Sequence, residues 1–70
     1  MKYGLILTID GGKETMPVAD FRFKRPAIRR MQELSKNPEE VSRLSGGKDV
    51  TCIEVINNRN LTTYEYVPMI

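Results

Sequence analysis

Histidine is absent from this sequence, and cysteine occurs once, at Cys52. Without histidine there is no ordinary general base for neutral pH, and no Cys/His or His/carboxylate zinc set can be assembled. A single cysteine excludes an internal disulfide, and its free thiol suits a reducing compartment, so a cytoplasmic location is expected. Long apolar runs are missing too. The stretch from Met1 to Ile9 stops at Asp10-Gly11-Gly12. It is too short to span a bilayer and lacks a cleavage-site pattern, so no membrane association is expected.

Catalytic patterns are equally thin. Cys52 falls on an expected strand, with neither a histidine nor a helix N-terminus to activate it. Gly-Gly-Lys occurs at 11–13 and 46–48. The first copy lies in a hairpin and the second runs from helix to strand, the reverse of a phosphate-binding loop. Glu39-Glu40 is explained by helix capping. Glu54 and Glu65 are expected as diagonal neighbours on one solvated sheet face, a weak arrangement for a divalent ion. The reading is therefore of a protein without catalytic residues, metal or cofactor.

What is present is a short amphipathic chain. Seventy residues make one domain, 1–70. A core of this size supplies only about 3–5 kcal/mol, so tight packing or self-association must replace the missing disulfides and metals. Tyr3, Leu5, Leu7 and Ile9 alternate onto one face, and Gly11-Gly12 supplies a turn. A two-residue loop there sets Leu7 opposite Met16 and Leu5 opposite Val18. Pro17 cannot donate to a ladder, which places the second strand at an edge. The alternation changes phase near Asp20, where an end or a bulge is expected.

Pro26 reads as the first helical position, with Ala27, Ile28, Met31, Leu34 and Ser35 as an apolar stripe and Arg29–Glu33 as a four-apart ion pair. Asn37-Pro38-Glu39-Glu40 is a second helix start that kinks or breaks the helix. Val41 and Leu44 extend the stripe, and Gly46-Gly47 ends it. Residues 50–67 read as a hairpin with Asn57 opposite Asn60. That register puts Thr51, Ile53, Val55, Thr62, Tyr64 and Tyr66 on the core face. The fold class is α+β: ββαββ, a four-stranded antiparallel sheet with one helix, kinked or broken, on one face.

Two features suggest function. Net charge is only +2, yet five of the nine residues from Arg22 to Arg30 are basic and none is acidic. Phe21, Arg22, Phe23, Lys24, Arg25, Arg29 and Arg30 form the candidate binding segment. Interleaved aromatics and cations suit an acidic protein surface, or nucleic acid bound through stacking and phosphate neutralisation. Cations at a helix N-terminus also oppose the helix dipole, a small local cost that points to a use. Secondly, Ile6, Pro17, Ile56 and Leu61 are expected on the outer sheet face, where together they would form a homodimer surface. The combined expectation is a non-enzymatic protein-interaction module, an inhibitor or regulator of the kind carried by phages and mobile elements. Nucleic-acid binding by the same segment is the alternative.

Overall fold

A computed structural model describes residues 2–69. Strands β1 (Tyr3–Ile9) and β2 (Glu14–Phe21) are followed by helices α1 (Lys24–Ser35) and α2 (Pro38–Ser45), then by strands β3 (Val50–Asn57) and β4 (Thr63–Pro68). The strands form one antiparallel sheet in the order β2-β1-β3-β4. The architecture is thus ββααββ: the single helix of the expected ββαββ order, kinked or broken at Pro38, is two helices.

The break follows from capping chemistry. The Asn37 side chain accepts from the Glu40 N–H at 3.3 Å, and Pro38 occupies the first turn, where its missing N–H costs nothing. Gly46 closes α2 in the left-handed region (φ 71°), and the Gly47 N–H returns to the Ser42 carbonyl at 2.8 Å. Arg30 joins the two helices. It reaches Glu40 of α2 at 2.8 Å and Glu33 of its own helix at 3.6 Å, so the ion pair expected at Arg29–Glu33 forms from Arg30 instead.

The core lies between the helices and one face of the sheet. Leu5, Leu7, Ala27, Met31, Leu34, Val41, Ile53 and Val55 form its buried cluster. Leu44 does not extend the helical stripe and is exposed. Ser45 is buried there instead, its hydroxyl within donating distance of both the Ser42 and the Lys48 carbonyl, which share its one proton.

Leu7 faces Met16 as the alternation predicts, but Leu5 faces Ala19. The extra residue is Val18, so the phase change comes two residues before Asp20. This bulge turns Phe21 onto the core face beside Tyr3. β2 is an edge strand, as Pro17 requires.

The second hairpin departs further. Asn57 donates to the Thr62 carbonyl at 2.8 Å, so the turn is longer than an Asn57–Asn60 closure. Tyr64 is an extra residue between the pairs Ile56–Thr63 and Val55–Glu65. The pairing moves by three residues, an odd number, which exchanges the faces of β4. Tyr66 therefore lies beside Glu54 on the outer face, and Glu65 lies across from Val55. Glu54 and Glu65 do not share a face. Among the described residues no group of three or more His, Cys, Asp or Glu is placed to hold a metal ion. No helix there is long and apolar enough to cross a membrane.

Candidate functional site

The strand order brings one end of every strand together. The ends of β2 and β3 and the starts of β1, β4 and α1 surround a cleft of about 850 Å³. Lys2, Tyr3, Arg22, Phe23, Asn57, Asn58, Arg59 and Tyr64 line it, and none of them is acidic. Lys24 stands beside it, with its ammonium 5.1 Å from the centre of the Tyr64 ring. Lys2, Arg22, Lys24 and Arg59 make no ion pair among the described residues.

The aromatic residues are not equivalent. Tyr3 and Tyr64 pack at 5.2 Å with a 50° tilt, and the Tyr64 hydroxyl accepts from the Asn57 amide at 3.0 Å. With Lys24 over it as well, the Tyr64 ring is already engaged. Phe23 is different: it is 66% exposed. It also occupies the N-cap position of α1 in the extended conformation that a cap requires (φ −122°, ψ 148°), yet makes no side-chain cap hydrogen bond. The first turn of α1 contains no acid. Lys24 and Arg25 therefore add their charge to the positive end of the helix dipole.

Asn58 shapes the far wall. Its backbone N–H donates to the Lys2 carbonyl at 3.0 Å, and its amide donates to the Asp20 carboxylate at 3.0 Å. To make that reach it lies across Gly4, where a β-carbon would collide with the amide oxygen. The nearby acid Asp20 is thereby turned to a structural partner.

The residues singled out in the sequence separate into groups. Arg22, Phe23 and Lys24 come together at the cleft, and Arg25 and Arg29 remain exposed on α1. Phe21 does not join them, because the bulge at Val18 packs it against the core. Arg30 is held by Glu40 and Glu33. These contacts raise its pKa, Glu40 acting first through their hydrogen bond. Lys2, Tyr3, Asn57, Asn58, Arg59 and Tyr64 were not foreseen as site residues. The one signal for them was Arg59 in an otherwise neutral asparagine turn.

On the outer face, Ile6 pairs with Pro17 and with Glu54, and Glu54 pairs with Tyr66. Ile56 is 8% exposed, beside Gly4. Leu61 is not on the sheet. It projects from the β3–β4 turn with φ 58° and is exposed. Glu54 occupies the middle of this face and accepts from Thr8 at 2.6 Å and Thr63 at 2.8 Å. Pairing two copies here would take that carboxylate out of water, at a cost of several kcal/mol.

Cys52 lies on the same face. Burial, and then the neighbouring Glu54, push its thiol pKa up. The neutral thiol is thus favoured by folding. This contribution to stability is intact below the pKa of an unfolded cysteine, about 8.5, and is lost as pH rises above it. Iodoacetamide at pH 8 should alkylate Cys52 more slowly in the native chain than in urea, as read by mass spectrometry. Equal rates would contradict the assignment.

Compared with protein-family models, with curated proteins and with solved structures, the chain matches none.

Proposed function

We propose that this chain is a non-enzymatic interaction module whose cleft captures an acidic segment of another protein, in the manner of a small inhibitor or regulator. The observation that carries this reading is Phe23. A large apolar side chain is mostly in solvent where a serine or aspartate would cap the helix, Lys2, Arg22 and Arg59 line the same cleft, and Lys24 follows it in sequence. An exposed aromatic in a cleft that also carries cations suits a binding hot spot, since aromatic and arginine anchors dominate protein interfaces. The cations supply charge complementarity and faster encounter with an acidic partner.

Nucleic acid is the competing ligand for the same charges. Strand-binding proteins stack successive bases on several open rings. Here Tyr64 is occupied by Lys24 and Tyr3, which leaves Phe23 as the one largely exposed ring of the cleft. That favours a peptide anchor over a stacking platform.

The test is a titration of the purified chain at low and physiological salt. The probes are a short peptide of glutamates with one leucine, its lysine counterpart, and single-stranded DNA and RNA of random sequence. The acidic peptide is expected to bind, more weakly as salt rises, and the lysine peptide is not. Tighter binding of the oligonucleotides than of the acidic peptide, falling steeply with salt, would replace this reading with nucleic-acid recognition.

A further inference from the structure

On the reading that the cleft takes an acidic protein segment, we infer that the binding surface continues along α1 as a track of Arg25, Arg29 and Lys36, and that the partner is an extended acidic stretch rather than a single acidic residue. Arg25 and Arg29 are four residues apart and Lys36 follows seven later, spacings that keep all three on one helical face. All three are exposed. None takes part in an ion pair among the described residues. The carboxylates that would otherwise compensate them are drawn elsewhere: Arg30 holds Glu33 at 3.6 Å and Glu40 at 2.8 Å.

Arg30 thus engages both acids at the helix junction, a group of net charge −1, while Arg25, Arg29 and Lys36 together carry +3 with no ion pair of their own among the described residues. At 1.5 Å per residue the track is about 16 Å long. An extended chain covers about 3.3 Å per residue, so about five residues follow it beyond the cleft. Glu33 is the one acid of α1 and is turned to Arg30, so three cations against one engaged carboxylate leave the face net positive, which fits a run of carboxylates.

The experiment is calorimetric titration with peptides of one leucine and two, four or six glutamates, in both chain orders, at fixed ionic strength. Affinity is expected to rise about two- to fivefold for each glutamate that meets a cation. The variant Arg25→Gln, Arg29→Gln, Lys36→Gln should lose that rise and still bind the shortest peptide as the original chain does. Two results would overturn the track and leave the cleft reading standing: no dependence on length while the shortest peptide binds, or the same dependence in the triple variant. Failure of every peptide to bind would overturn both.

Discussion

Replacing Phe23 with serine is expected to make this protein more stable and a worse binder. Phe23 already has the extended backbone of an N-cap residue, but its ring has no oxygen to accept from the first turn of α1. A serine hydroxyl would, and such caps contribute about 0.5–2 kcal/mol. Little packing is lost in exchange, because the ring is mostly in solvent. Binding should respond in the opposite direction. Removing an interface anchor costs about 2 kcal/mol or more, which is about thirtyfold in affinity. Thermal unfolding and titration with the acidic peptide measure the two effects on one sample. A gain in stability with unchanged affinity would show that Phe23 is a surface residue with no part in recognition. The opposed signs matter because sequences tend to break a local rule where function requires it.

Gly4→Ala is expected to destabilise the fold by about 1–3 kcal/mol, although glycine-to-alanine changes in strands ordinarily help. The new methyl would meet the Asn58 amide oxygen. Asn58 would have to swing away, breaking its bond to Asp20. For a domain this small each kcal/mol moves the melting temperature by about 4–8 °C. A double-mutant cycle isolates the cause. In an Asn58→Ala background, adding Gly4→Ala should cost nothing or stabilise. Equal losses in both backgrounds would place the strain elsewhere in β1. Because Asn58 lines the cleft, Gly4→Ala should also weaken peptide binding in the fraction that remains folded.

Much of the fold was legible because local chemistry decided it. Alternation from Tyr3 to Ile9 made β1, Pro17 forced β2 to an edge, and Asn37-Pro38-Glu39-Glu40 restarted the helix. The second hairpin was not legible in register. Asn57-Asn58-Arg59-Asn60 is compatible with several turns, and closure onto Thr62 with an extra residue at Tyr64 exchanged the faces of β4. The basic segment was visible in the sequence, but its meaning depended on neighbours from other strands. Lys2 and Arg59 are far apart along the chain and meet only because β1 lies next to β3. Strand order is a tertiary outcome that alternation within a strand does not encode, so the cleft appeared only in three dimensions. The same holds for Arg30, which belongs to the basic segment by position and to the α1–α2 junction by contact.

The most direct test of the central claim is amide chemical-shift mapping of the labelled chain during titration with the glutamate-leucine peptide. The largest changes are expected at Lys2, Tyr3, Arg22, Phe23, Arg59 and Tyr64, extending to Arg25 and Arg29 with longer peptides. Changes centred on Ile6, Glu54 and Tyr66, with the cleft unmoved, would contradict that claim and assign recognition to the outer face of the sheet.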